Sequence, residues 1–174
     1  LSVASVSQAA FTETIITRPV DKVAPSPLQL KPAASIDKIL VLKSERRLQL
    51  ISGGAPLKTY RISLGKQPKG AKLREGDKRT PEGLYWIDWR KVSDRYNLAM
   101  HVSYPNITDS ARARREGVEP GGMIMIHGTP LSEEFPEEVF HTLDWTEGCI
   151  AMTNRDMREI WDMVPDGTLI EIRP

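Results

Sequence analysis

The sequence contains one cysteine, Cys149, and three histidines among its 174 residues. One cysteine cannot form a disulfide within the chain, so its thiol is available for chemistry. His101 and His141 lack the paired spacing of metal ligands, and neither a glycine-rich phosphate loop nor a dinucleotide fingerprint is present. We therefore expect no metal site and no cofactor, and any catalysis must come from side chains.

Long apolar runs and a dominant charge are also missing. No stretch approaches the ~20 apolar residues that cross a bilayer, so no transmembrane span is expected in this chain. Lys and Arg number 24 against 23 Asp and Glu, and the net charge of +1 gives no general attraction to nucleic acid. Hydrophobic residues at 40% and charged residues at 27% are typical of a globular domain.

The first 35 residues differ in composition from the rest. Residues 1–10 are small and apolar and resemble the end of a signal peptide, whereas residues 11–35 hold four prolines and little apolar periodicity. We interpret residues 1–35 as a signal-peptide remnant followed by a flexible, proline-rich linker. Residues 36–174 are predicted to form one folded domain, and export to the periplasm or cell envelope is expected.

The pattern of apolar residues predicts a mostly β domain (α+β) with a few short helices. Strands are predicted at 38–42, 47–51 and 57–64 as an antiparallel meander, then at 84–87, 99–103, 123–126 and 168–172. A polar loop is expected at 65–82. A helix is expected at 108–115 with Thr108 or Asp109 as its cap. A last helix is expected with Asn154 as its N-cap and with one apolar stripe formed by Met157, Ile160, Trp161 and Val164. The acidic stretch around 133–138 is interpreted as a surface helix or lid.

Cys149 and His127 are the strongest candidates for catalysis. His127 ends the apolar run 123–126, and Cys149 follows 22 residues later. A thiol attacks only as a thiolate and needs a base or a positive field, which His127 can supply. Gly148 leaves room for a carbonyl substrate, and the N–H groups of Gly148 and Cys149 are expected to stabilise an oxyanion. The alternative is an inert core cysteine and a hydrogen-bonded core histidine, but the flanking glycines favour function.

These residues resemble the YkuD-type L,D-transpeptidase catalytic domain. The matching positions are His127-Gly128, Thr146, Gly148-Cys149 and Asn154, together with Arg79-Thr80-Pro81-Glu82-Gly83-Leu84-Tyr85 upstream. The resemblance covers residues 36–174 and implies the family's β-sandwich or barrel. Glu147 stands where the family has histidine, and Ala151 where it has arginine. The phrase DWTEGCIA at 144–151 is similar to the YafK-like branch.

The resemblance also implies a mechanism. Cys149 attacks the carbonyl at the L-centre of diaminopimelate in a peptidoglycan stem peptide, His127 acts as base, and the Gly128 carbonyl orients the imidazole. An amine then resolves the acyl-enzyme (transpeptidation) or water does (hydrolysis). Hydrolysis includes cleavage of the link between diaminopimelate and an envelope lipoprotein, an activity within the YafK-like branch. A non-catalytic peptidoglycan-binding module is the third alternative.

Five further residues are candidates for substrate binding. Glu147 either attracts an ammonium group of the substrate or faces solvent without a role. Trp145 either walls the site or packs in the core, and Arg79 belongs to a basic loop that either binds carboxylates or is simply solvated. Thr146 and Asn154 are candidates because they match the motif. The acyl acceptor and the oligomeric state stay open.

Overall fold

A computed structural model describes residues 34–130 and 135–174. The predicted leader and almost all of the linker, together with Glu133 and Glu134, lie outside the described residues. The strands are β1 Lys38–Leu42, β2 Arg47–Ser52, β3 Ala55–Arg61, β4 Gly83–Ser93, β5 Asn97–Val102, β6 Met125–His127, β7 Ile150–Ala151 and β8 Leu169–Arg173. The helices are α1 Ile107–Glu116, α2 Glu137–His141 and α3 Asn154–Met163.

The strands form an eight-stranded sheet in the order β3-β2-β1-β8-β4-β5-β6-β7. The predicted meander is confirmed, since β1 pairs with β2 and β2 with β3, both antiparallel. A bridge between Ser63 and Ala151 joins the segment after β3 to β7, with N···O distances of 2.9 Å in both directions. This bridge brings the two ends of the strand order together beside Cys149. The mostly β fold with a few short helices is confirmed.

A β-bulge in β4 decides which residues face the core. Ile87 pairs with Val102 and Arg90 with Met100, so β4 has one residue more than β5 over this interval. An extra residue reverses the side-chain alternation of a strand. Lys91 and Ser93 therefore lie on the face of the sheet opposite Ile87. On that face Lys91 pairs with Ala99, and Ala99 pairs with His127.

The face of the sheet that carries Ile87 forms the core together with α3. The largest apolar side chains with no exposure include Ile39, Leu48, Leu50, Ile87, Met100, Ile126, Ile150 and Ile170. Helix α3 buries Met157 and Ile160, two members of the predicted stripe, while Trp161 is partly buried against the core. The Arg90 guanidinium lies 4.9 Å from the centre of the Trp161 ring and donates to Trp161 O at 2.8 Å.

Both predicted helix caps were wrong by one or more residues. Asn106 caps α1 and accepts from Asp109 N at 2.9 Å, while Asp109 is the third helical residue and accepts from Asn106 N. Thr153 caps α3, so Asn154 is the first residue inside the helix. Each true cap has extended backbone and a side chain that reaches the third helical N–H, which is the geometry of a capping residue.

The polar loop at 65–82 contains no named helix or strand, as predicted, but it is not simply solvated. Lys72 is buried and pairs with Asp77 at 2.8 Å. The Asp77 carboxylate also accepts from the backbone N–H groups of Leu73, Arg74 and Arg79. This network fixes the loop beside the sheet. No helix within 34–130 and 135–174 combines the length and apolar character that a membrane crossing needs.

Candidate active site

Cys149 lies directly before β7, and its thiol is half-buried. The Sγ atom accepts from Met125 N at 3.4 Å and faces Met123 O at 3.5 Å. Met125 is two residues before His127 on β6, so both side chains lie on the same face of that strand. Cys149, Met125 and His127 line one cavity of about 490 Å³. The fold thus brings the predicted thiol and imidazole to one site.

The imidazole of His127 is buried and held in a fixed orientation. Its Nδ1 atom lies 2.6 Å from Gly128 O. Because a carbonyl oxygen only accepts, Nδ1 must carry the ring proton and Nε2 must be the basic nitrogen. The Gly128 carbonyl therefore makes the contact that the family resemblance implies for it. The arrangement leaves one nitrogen of His127 able to accept a proton.

Aromatic rings enclose His127 on two sides. Tyr96 stacks on the imidazole with ring centres 4.3 Å apart, and Trp145 meets it edge-on at 5.6 Å. Both aromatic residues line the cavity, so Trp145 lies in the wall of the site. No sequence signal marks Tyr96, because it lies in the β4–β5 turn and matches no motif. Its carbonyl oxygen also accepts from Gly128 N at 3.1 Å, which ties that turn to the histidine.

Burial keeps both reactive groups neutral. Burial lowers the pKa of His127 to about 4, and the hydrogen bond to Gly128 O opposes this only in part. Burial also raises the pKa of the Cys149 thiol above its ordinary value, against smaller opposing effects of the Met125 N–H and Lys72. At neutral pH the pair is therefore a thiol and a neutral imidazole, not a thiolate and an imidazolium. Such a pair needs proton transfer to His127 as the thiol attacks.

The turn before Cys149 depends on Gly148 and Thr146. Gly148 has φ +134°, and an added Cβ would lie 2.8 Å from Arg79 O. The buried Thr146 hydroxyl accepts from Gly148 N at 3.1 Å and donates to Cys149 O at 2.7 Å. The Gly148 N–H is thus engaged within the turn, which argues against its predicted place in an oxyanion hole. The role of the Cys149 N–H as a donor to an oxyanion stays a prediction.

The remaining predicted binding residues lie in different places. Glu147 is exposed at the rim of the cavity and pairs with Lys66 at 2.5 Å. Arg79 does not line this cavity, and its side chain lies instead in a separate depression beside Arg74 and Asp77. Asn154 does not line the cavity either, and its side-chain oxygen accepts from Thr129 N at 3.0 Å. Asn154 therefore supports the segment after His127 with its side chain, whereas the Arg79 side chain lies outside the site.

Replacing Gly128 by alanine should damage the site through packing. An added Cβ would lie 2.1 Å from Asn154 Oδ1 and 2.8 Å from Tyr96 O, so the helix start or the tyrosine turn must move. We expect a loss of about 1–3 kcal/mol in unfolding free energy, and a lower catalytic rate because the imidazole shifts. Chemical denaturation and turnover assays measure both. Gly122→Ala is the matched control, since its Cβ meets nothing within 4 Å; equal stability of the two variants would contradict this packing.

Within the described residues, no group of three or more His, Cys, Asp or Glu side chains is arranged to hold a metal ion. The site thus places a thiol and an oriented imidazole in the wall of one partly apolar cavity. A thiol beside an oriented base is an arrangement that covalent acyl transfer uses.

The family assignment agrees with this chemistry. The chain belongs to the family of the YkuD L,D-transpeptidase catalytic domain, whose model matches residues 36–172. It is 33% identical over 142 residues to the Escherichia coli protein named "Putative L,D-transpeptidase YafK", across 78% of this chain and 50% of that protein. The chain therefore spans about half the length of the curated relatives it matches.

Solved structures share the fold. The helical cell shape determining protein Pgp2 from Campylobacter jejuni matches with a TM-score of 0.62 and 23% identity, over 80% of this chain and 49% of that one. Bd1075 from Bdellovibrio bacteriovorus matches with a TM-score of 0.58 and 27% identity, over 81% and 49%. An L,D-transpeptidase from Xylanimonas cellulosilytica matches with a TM-score of 0.52 and 18% identity, over 82% and 63%.

Proposed function

We propose that this protein catalyses cysteine-dependent acyl transfer on peptidoglycan stem peptides, with Cys149 as nucleophile and His127 as base. The observation that carries the proposal is the single cavity lined by the Cys149 thiol and by an imidazole whose orientation the Gly128 carbonyl fixes. Membership of the L,D-transpeptidase family supports the substrate class. Because peptidoglycan lies outside the inner membrane, the proposal includes export to the periplasm, with residues 1–35 as leader and linker.

The proposed reaction starts from neutral groups. The thiol proton of Cys149 passes to His127 Nε2 as Sγ attacks the carbonyl at the L-centre of diaminopimelate. The tetrahedral oxyanion accepts from the Cys149 N–H. Collapse breaks the C–N bond, His127 returns its proton to the leaving amine, and a thioester remains on Cys149. An amine or a water molecule then attacks the thioester and His127 accepts its proton, which restores the thiol.

Hydrolysis is the second candidate outcome, and one contact favours it. An amine acceptor arrives largely as an ammonium ion, which an uncompensated carboxylate at the rim would attract. Glu147 is the one acidic residue among the described residues that line the cavity, and it is already paired with Lys66. The pair reduces the attraction for an ammonium group. Water as acceptor would yield a trimmed stem peptide or a released lipoprotein fragment.

Mass spectrometry of muropeptides tests the proposal and separates its two outcomes. The substrates are disaccharide tetrapeptides and lipoprotein-linked muropeptides, incubated with the protein or with Cys149→Ala. Cross-linked dimers or an exchanged fourth residue would identify a transpeptidase. Loss of the lipoprotein remnant or of the fourth residue without new cross-links would identify a hydrolase. Unchanged muropeptides would overturn the proposal in favour of a non-catalytic binding module.

The lowered pKa of His127 predicts an unusual pH profile. His127 is the base only when unprotonated, so activity is lost as pH falls through its pKa, which lies at about 4. A solvated histidine would instead lose its basic form below pH ~6.5. We expect kcat/KM to stay nearly constant from pH 8 to pH 5 and to fall only near pH 4. An acid limb near pH 6.5, in protein shown by circular dichroism to stay folded, would contradict the buried imidazole.

A further inference from the structure

The cavity has an excess of positive charge on one side. Its described lining includes the cations Lys66, Lys91 and Arg95 and the single anion Glu147. Lys66 is neutralised by Glu147 at 2.5 Å. Lys91 and Arg95 have no carboxylate within 4.0 Å among the residues that the structure describes. Two positive charges therefore face the cavity from the β4–β5 hairpin.

The sheet register places these charges at a defined distance from the reactive groups. Lys91 pairs with Ala99, and Ala99 pairs with His127, so Lys91 lies two strands from His127 on the same face. Neighbouring strands are about 4.8 Å apart, so the two backbones are roughly 10 Å apart. A peptide advances about 3.5 Å per residue. A substrate group held by Lys91 would therefore lie within about three residues of the attacked carbonyl.

Arg95 contacts the ring of Tyr96, and that ring stacks on His127. Its guanidinium carbon lies 5.1 Å from the centre of the Tyr96 ring, and Tyr96 stacks on His127 at 4.3 Å. The stack holds Arg95 beside the site by a cation–π contact, which leaves its N–H groups available to an anion. For Lys91, the bulge in β4 places the side chain on the same face of the sheet as His127. Lys91 and Arg95 are both exposed residues that line the cavity, and the bulge and the ring contact direct them toward it.

We infer that Lys91 and Arg95 bind a carboxylate of the acyl donor and so determine substrate specificity. The inference rests on the proposed function and deepens it. A carboxylate is the matching group because lysine and arginine form charge-assisted hydrogen bonds with it, and arginine does so through two parallel bonds. Two carboxylates belong to the residues that the attacked amide bond joins. One is the C-terminal carboxylate of the leaving residue, and the other is the side-chain carboxylate of the third residue.

Binding and turnover of modified peptides test the inference. Three donors are compared, namely the parent tetrapeptide, its C-terminal amide, and the analogue amidated at the third-residue side chain. Each is assayed with the unmodified protein and with Lys91→Met, Arg95→Met and the control Arg115→Met, which removes an exposed cation of α1 outside the cavity. We expect Lys91→Met and Arg95→Met each to raise KM for the parent about tenfold, with kcat little changed.

The amides identify the carboxylate. The analogue that lacks the bound carboxylate should already have a raised KM, and the two variants should not raise it further. Equal effects of the variants on all three donors, or no effect on any, would overturn the inference. If Arg115→Met raised KM as much as Lys91→Met and Arg95→Met do, the inference would also be overturned, because removal of any exposed cation would then weaken binding.

Measurements of equilibrium binding test the carboxylate site independently of the proposed catalytic function. Calorimetry with Cys149→Ala and with Cys149→Ala/Lys91→Met measures the affinity for the parent tetrapeptide without turnover. A Kd weakened about tenfold by the second substitution supports the carboxylate site even if the unmodified protein proves inactive on muropeptides. An unchanged Kd overturns the carboxylate site even if the protein is an active enzyme.

Discussion

Cys149→Ala is expected to lower turnover of stem peptides by at least about 1000-fold. The alanine variant has no atom that can form the acyl-enzyme, and the oriented imidazole alone would have to activate water. The Sγ atom contacts Met125 N at 3.4 Å and Met123 O at 3.5 Å, both long and weak. Its removal should therefore change the unfolding free energy by no more than about 1 kcal/mol.

The comparison of activity and stability makes this result decisive. Thermal unfolding should give nearly the same Tm for the variant and the unmodified protein, while the initial rate by chromatography of muropeptides should disappear. Cys149→Ser is a useful second variant because it keeps the shape of the side chain and replaces the thiol with a poorer nucleophile. Full activity of the folded alanine variant would refute Cys149 as nucleophile.

His127→Gln should lower kcat/KM by about 100- to 10,000-fold, the usual range for a general base. The burial that lowers the pKa of His127 and raises that of Cys149 leaves a neutral pair, so the thiol cannot attack without a proton acceptor. Glutamine is polar and similar in size, but it is not a base at neutral pH. Steady-state kinetics on a stem-peptide donor measures the loss.

His101→Gln is the matched control for that substitution. His101 lies on the neighbouring strand β5, bonds Asp88 at 2.6 Å and stacks on Trp89 at 4.6 Å, and it does not line the cavity. We expect its replacement to leave kcat/KM within a few-fold of the unmodified protein. Equal losses in the two variants would indicate a general effect on folding and not a base at position 127.

Much of the architecture could be predicted because it follows from local patterns. The alternation of apolar and polar residues in 47–51 and the helical stripe from Met157 to Val164 each indicate a face that is buried in the core. The neighbourhood of Cys149 and His127 could be predicted because both residues end or precede short apolar strands and are flanked by glycine. The structure places both in one cavity wall, while their catalytic roles stay predictions.

The features that could not be predicted from the sequence depend on contacts between distant segments of the chain. Tyr96 packs on His127 only because β5 lies between β4 and β6, and nothing in the turn sequence signals that contact. The bulge in β4 adds one residue whose position no local pattern marks, yet it decides that Lys91 faces the cavity. The engaged Gly148 N–H depends on where the Thr146 hydroxyl points, which the motif alone does not specify.

The most direct measurement is intact-protein mass spectrometry during turnover of a tetrapeptide donor. We expect a covalent adduct with the mass of the acyl fragment and not of the whole donor, located on Cys149 by peptide mapping and absent from Cys149→Ala. His127→Gln should form it far more slowly. Turnover of the donor by a protein that carries no adduct, or an adduct on any other residue, would contradict the proposed acyl-enzyme.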